Sequence, residues 1–353
     1  MSVKTMPCLR TAICLAMLSV LSGCGGSSSS NSAPSPSPSP SPAPSPTDAR
    51  LSFAVSDAPV DEASAVVVSF SSITLVPEDE NAESVELAIT DDNGDPSYDT
   101  INLLDYQGSE QKLLLQNMSV TPGVYKNLII NTYACPQNQN GDSTFCYVED
   151  TSGIKPLKTP SNKLQLGGIT VSEGAQETYV LEFNLRSSLV STANGQSFNL
   201  KPQGISIVST SSSGKVIGTV DPNILNNSLG CETVFAPNTD HGKSVYLYSL
   251  PAEGEVANVT LTDEFDANEA SAGTPENALA PMASIQISLS ESGDVYEFDF
   301  GDVAAGNYLI AFSCSAINDD PVEYDAIQIP NPENQQQTLS VTAGSTTVVE
   351  FVE

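Results

Sequence analysis

After residue 50 the chain is dominated by short runs in which apolar and polar positions alternate, the two-residue period of a strand with one buried face. Residues 64–76 (SAVVVSFSSITLV) carry β-branched and aromatic side chains with partial alternation. Residues 124–132 (VYKNLIINT) follow Pro122-Gly123, a turn signal, and residues 178–185 (TYVLEFNL) alternate clearly. Residues 197–208 (SFNLKPQGISIV) read as two short strands around Pro202, because proline cannot donate to a ladder. A polar run at 209–213 (STSSS) marks a seam. Beyond it the strand pattern returns at 214–220 (GKVIGTV), 245–250 (VYLYSL), 283–289 (ASIQISL), 296–300 (YEFDF), 308–312 (YLIAF) and 346–352 (TTVVEFV), with Ala304-Ala305-Gly306 as a turn. No segment keeps a long 3.6-residue period, although residues 107–116 leave room for a helical turn or two. The pattern predicts an all-β chain of two consecutive β-sandwich domains, residues 51–210 and 213–353.

The first 50 residues follow a different logic. Lys4 and Arg10 give a positive start, residues 11–21 (TAICLAMLSVL) form an apolar stretch too short to span a bilayer comfortably, and small residues then precede Cys24. This reads as an export signal over residues 1–23. Leu21-Ser22-Gly23-Cys24 resembles the lipobox of bacterial lipoproteins, which implies that Cys24 is lipidated and heads the mature chain. Gly25 resembles the lipoproteins released to the outer membrane. Residues 24–50 then hold the lipidated cysteine and a Ser/Pro-rich linker. Its repeat at 33–46 (APSPSPSPSPAPSP) favours polyproline II, so at about 3.1 Å per residue it spans on the order of 40 Å. The expected location is the bacterial cell envelope, lipid-anchored, at the outer membrane.

Charge narrows the partners. The chain of 353 residues has a formal net charge of -31 and no Trp. Such a surface repels nucleic-acid phosphates and anionic head groups. Solubility is the plainest account of the acidity. Cysteine usage fits export: Cys8 and Cys14 leave with the signal, and Cys135, Cys146, Cys231 and Cys314 remain in the folded part. Four cysteines allow three pairings. Cys135–Cys146 and Cys231–Cys314 are the expected disulfides, because each pair falls within one proposed domain. No CxxC occurs, and His is nearly absent, which argues against a zinc site.

Several stretches carry a family resemblance. LSFAVSDAPV (51–60) with the VVVSFSSITL that follows, INLLDYQG (101–108), TPGVYKNLII (121–130), FNLRSSLV (183–190) and FNLKPQGISIV (198–208) together resemble a bacterial lipoprotein family known as domain of unknown function 4382. Asn184 departs from that pattern, standing where an acidic residue is expected. In the second half, GKVIGTV and YEFDFGDVAAGNYLIAF are similar to the prealbumin-like, carboxypeptidase-regulatory-like sandwiches appended to enzymes and surface proteins. The two resemblances together imply immunoglobulin-like or prealbumin-like sandwiches, and neither implies an activity.

No catalytic constellation stands out. His241 is the one histidine, in a turn-rich loop, and neither a GxSxG elbow nor HExxH occurs. Acidic loops are the sharper candidates. Asp91, Asp92, Asn93 and Asp95, with Asp99 shortly after, offer oxygen ligands around Gly94, and calcium is the ion that such a loop suits. Asp263, Glu264 and Asp266 form a second cluster, and Asp319 and Asp320 a third. A solvated loop is the plainer account of each. Asp57-Ala58-Pro59 reads as a turn after the first strand, with Asp57 accepting backbone N–H groups. Tyr98, Tyr106, Tyr246 and Tyr248 are either half-buried strand residues or rings on which a sugar could stack.

The leading expectation is a non-catalytic envelope lipoprotein, a surface binding, adhesion or structural module with calcium as a candidate stabiliser. Its partners are the membrane, through the N-terminal lipid, and an envelope protein, matrix polymer or glycan, but no nucleic acid. The alternative is a carbohydrate- or peptide-binding accessory module for envelope enzymes, which requires an exposed tyrosine pair. A hydrolase comes third, and requires two acids converging in a cleft.

Overall fold

The computed structural model describes residues 47–58, 63–138, 140–192, 195–225, 231, 242–250, 259–265, 273–320 and 323–353; the export segment, Cys24, Pro59, His241 and Asp266 lie outside them. Strands dominate, in several sheets, and the one α-helix among the described residues is the single turn Leu185–Ser188. No strand pairing among the described residues crosses the polar run at 209–213.

In the first half, a four-stranded sheet runs Ile205–Ser209, Gln176–Asn184, Ala49–Ala58, Lys112–Val120. Its two central strands are parallel, with Phe53 opposite Tyr179 and Asp57 opposite Phe183. A larger, ten-stranded sheet is organised around the long strand Ala63–Pro77. That strand pairs antiparallel with Gly123–Thr132 along its C-terminal part and with Tyr147–Asp150 at its N-terminal end. Val85–Ala88 and Asp99–Asn102 also pair with it. The rings of Phe70, in the large sheet, and Phe183, in the small one, meet at 6.1 Å, and one core of buried side chains joins both sheets. Each large apolar side chain sealed there contributes roughly 1.5–3 kcal/mol.

In the second half, one four-stranded sheet runs Ser288–Leu289, Tyr296–Ala304, Ser213–Val220, Thr346–Phe351, and another runs Ala283–Gln286, Ser244–Ser249, Gly306–Ser313, Gln336–Val341. Phe312 of the second sheet packs on Phe351 of the first at 6.0 Å. Strand Ser244–Ser249 is buried on both faces. Val245 and Leu247 point into the core between the sheets, while Tyr246 and Tyr248 fill a smaller cluster on the opposite side. Both disulfides form as expected: Cys135–Cys146 with Cα atoms 5.0 Å apart and Cys231–Cys314 at 5.6 Å.

Two local expectations are corrected. Residues 107–116 are not helical: Gln107 bridges Asp57, and Lys112 opens the strand Lys112–Val120 against Ala49–Ala58. Within Leu113-Leu114-Leu115, Leu115 is buried while Leu113 is 43% exposed, the alternation of a strand. Asp57 is not in a turn. It lies within the first strand, its N–H donating to the Tyr106 carbonyl at 2.9 Å and its carbonyl accepting from Gly108 at 3.1 Å.

Candidate functional site

Asp263 and Glu264 of the second acidic cluster and Asp319 of the third converge where the two halves meet, while Asp320 stays exposed. Strand Gln176–Asn184 runs directly into helix Leu185–Ser188, so Asn184, Arg186 and Ser187 leave the first half side by side. The second half brings Asp263, Glu264, Asp319 and Tyr246. Arg186 donates through Nη2 to Asp319 Oδ2 at 3.0 Å, and the Tyr246 hydroxyl donates to the same oxygen at 2.7 Å. Asn184 Nδ2 donates to Glu264 Oε1 at 3.1 Å, and the Ser187 hydroxyl to Oε2 at 2.9 Å. Asn184 therefore fits here because it is neutral: an aspartate in its place would set two carboxylates against each other.

Apart from half-buried Ser187, these side chains are shielded from water. Asp263 is 0% exposed, its Oδ2 accepting the N–H groups of Asp325 and Ile327, and its Oδ1 has no hydrogen-bond partner among the described residues. Asp319 Oδ1 and Asn184 Oδ1 are likewise buried, with no hydrogen-bond partner among the described residues. Burial pushes the Asp319 carboxyl up to about 7, against the pull of Arg186. Burial also raises the Asp263 carboxyl, opposed by its backbone hydrogen bonds from Ile327 and Asp325. The Tyr246 and Tyr248 hydroxyls are raised well above the usual phenol range, by burial first and then by the charge of Asp319. Both rings are 0% exposed and offer no face to a ligand, so neither is a stacking platform.

A second polar contact joins the halves. Asp299 accepts from Ser109 Oγ at 2.9 Å and from the Gly301 N–H at 2.7 Å, while Asp302 accepts from Gln111 and from Ser213. Gly301 has φ +68°, and a side chain there would stand 2.4 Å from the Gly108 carbonyl, so the two backbones touch. Glu182 lies beside this contact with its Oε1 buried and without a hydrogen-bond partner among the described residues. Its carboxyl is raised to about 8 by burial, then by Asp302, with Ser56 opposing. A cleft of about 340 Å³ opens nearby, lined by Glu297 and Asp299 among others. Glu182, Asp263 and Asp319, the acids with raised values, do not line it, and Asp299 is already engaged.

The Asp91 loop is a hydrogen-bonded turn. Asp91 Oδ1 accepts the N–H groups of Asn93 at 2.9 Å and Asp95 at 3.0 Å, which holds the Asp91 carboxyl below the usual carboxylate range. Asp92, Asn93 and Asp95 are exposed, and Asp99 pairs with Lys112 at 3.3 Å. Among the described residues no group of three or more His, Cys, Asp or Glu side chains is arranged to hold a metal ion.

On the surface of the large sheet, Tyr98 and Tyr133 stack face to face, ring centroids 4.2 Å apart and 10° from parallel. Phe145 meets both edge-on, at 5.4 and 5.1 Å. The two tyrosines remain 40% and 41% exposed and line a cleft of about 270 Å³ with Ser71, Ser72, Glu86 and Ser97. Tyr98 is one of the four tyrosines that the sequence singles out; Tyr133 and Phe145 are not. Their positions beside Cys135 and Cys146 are the sequence signal for them, because a disulfide fixes its neighbours.

Among solved structures, the chain is similar to a "putative adhesin" from Bacteroides ovatus, at 9% identity over 88% of this chain and 94% of that one, with a TM-score of 0.17. It is also similar to a "putative cell adhesion protein" from Bacteroides fragilis, at 12% identity over 86% and 92%, with a TM-score of 0.19. Likeness at that level carries no argument about fold or role. No curated protein matches the chain. A family model described as a domain of unknown function (DUF4382) matches residues 48–202, which span strand Ala49–Ala58 to strand Ser197–Leu200.

Proposed function

We propose that this chain is a non-catalytic binding module of the bacterial cell envelope, two β-sandwiches held on a Ser/Pro-rich linker by lipidated Cys24. Two disulfides support an oxidising, extracytoplasmic setting. The two-sheet cores of each half support the sandwich reading. The carboxylates with raised values are enclosed where the halves meet, which gives them a structural task. The single observation that carries the proposal is the stacked, exposed Tyr98–Tyr133 pair beside a polar-lined cleft. Its partner is an envelope protein, matrix polymer or glycan.

Retention of the full chain on purified cell envelopes and on extracellular matrix material tests the proposal. Saturable retention that falls at least tenfold in Tyr98→Ala is the expected result. Retention equal in both proteins, or absent from both, overturns it.

A further inference from the structure

We propose that the Tyr98–Tyr133 cleft is a subsite for one neutral sugar ring, an inference that rests on the binding-module reading and names the ligand class. The platform is built before any ligand arrives. Tyr98 precedes strand Asp99–Asn102, Tyr133 follows strand Gly123–Thr132, and Phe145 precedes strand Tyr147–Asp150. Ser69 ties two of these together: its carbonyl accepts the Tyr133 N–H at 2.7 Å, and its hydroxyl donates to the Phe145 carbonyl at 2.9 Å. The Cys135–Cys146 disulfide ties the chain just after Tyr133 to the residue that follows Phe145. Rings fixed in advance lose little conformational freedom on binding, which favours a small ligand with few contacts.

The cleft chemistry selects the ligand. A tyrosine face takes an apolar C–H surface, and the floor beside it is polar. Ser72 Oγ donates to Glu86 Oε1 at 2.8 Å, and Asn131 Nδ2 donates to Ser72 Oγ at 2.9 Å, so a relay of side chains holds the carboxylate. Glu86 Oε2 has no hydrogen-bond partner among the described residues and remains an acceptor, with the Ser97 hydroxyl lining the same cleft. A pyranose matches this pair of surfaces: an apolar C–H face for the ring, and hydroxyl donors at its edge for the carboxylate. The charge of Glu86, on a chain of net charge -31, selects against phosphorylated or uronic rings. A volume of about 270 Å³ lies below the usual range for larger ligands and admits one ring.

Saturation-transfer NMR on the full chain, with the methyl glycosides of glucose, galactose, mannose and N-acetylglucosamine as probes, tests the inference. The expected result is millimolar binding of at least one glycoside, with the strongest transfer to C–H protons of one ring face. That transfer should fall at least tenfold in Tyr98→Ala and weaken in Glu86→Gln. Both sites are exposed, and unchanged circular dichroism and melting temperature show that the variants fold. No transfer to any probe overturns the sugar class, as does transfer that both variants retain. If no probe binds but retention on envelopes still depends on Tyr98, the sugar inference falls and the binding-module reading stands. If neither occurs, both fall.

Discussion

Arg186 donates to Asp319 at 3.0 Å across 133 positions of sequence, with side chains 5% and 0% exposed. The pair joins the two halves inside the protein, where water cannot take over for a missing partner. Arg186→Ala would leave Asp319 buried beside Asp263 and Glu264 without its cation. Urea unfolding is expected to show a loss of about 3–5 kcal/mol. A loss below about 1 kcal/mol, the range of exposed pairs, would refute the buried seam.

Stability should fall as pH rises through neutrality. Below about pH 4 the Asp319 and Glu182 carboxyls are protonated in folded and unfolded chains alike. Between there and their folded values, about 7 and about 8, the folded chain holds protons that the unfolded chain has released. The folded state therefore loses stability as pH rises across that window. The surface acids Asp79, Asp91, Asp142 and Asp294 are shifted down by hydrogen bonds, and their contribution is lost only as pH falls below the ordinary carboxylate range. The melting temperature is expected to be higher at pH 5 than at pH 8, and Asp319→Asn and Glu182→Gln should each flatten the slope. A melting temperature that rises from pH 5 to pH 8 would contradict this.

Asn184→Asp should act through Glu264. The substitution replaces a donated hydrogen bond of 3.1 Å by two facing carboxylates in a buried site. The expected cost is about 3 kcal/mol at pH 8, with partial recovery at pH 5, where the pair can share a proton. Thermal melts at the two pH values check both size and direction; an equal cost at both would rule out charge as the cause.

Chelation addresses the acidic loops. Asp91 Oδ1 already accepts two backbone N–H groups. EDTA at fixed ionic strength is therefore expected to leave the melting temperature unchanged relative to added calcium. A calcium-dependent rise would show that an ion binds the folded state and restore the Asp91 loop as its candidate site.

The strands were legible because alternation is local: residues 64–76, 124–132 and 214–220 each carry their own signal and match strands Ala63–Pro77, Gly123–Thr132 and Ser213–Val220. At 107–116 the local reading failed, because the decisive partner, strand Ala49–Ala58, is some sixty residues away. The seam was hidden for the same reason. Asp263, Glu264 and Asp319 look like solvated loops until Asn184 and Arg186 arrive from the other half. Tyr98 is one of four tyrosines that the sequence offers as stacking rings, but nothing near it in sequence points to Tyr133, which only the fold brings to 4.2 Å.

The placement of strand Ala49–Ala58 has a mechanical consequence. It is the first of the described strands, and it lies at the centre of its sheet, parallel to Gln176–Asn184 on one side and antiparallel to Lys112–Val120 on the other. Ladder hydrogen bonds stand across the strand direction. A pull through the N-terminus along this strand would load both ladders in shear, many bonds sharing the force at once. An edge strand peeled from its end would surrender them one at a time. A chain pulled from its N-terminal side is thus gripped at a strong point of this sheet rather than at an edge that could be peeled away.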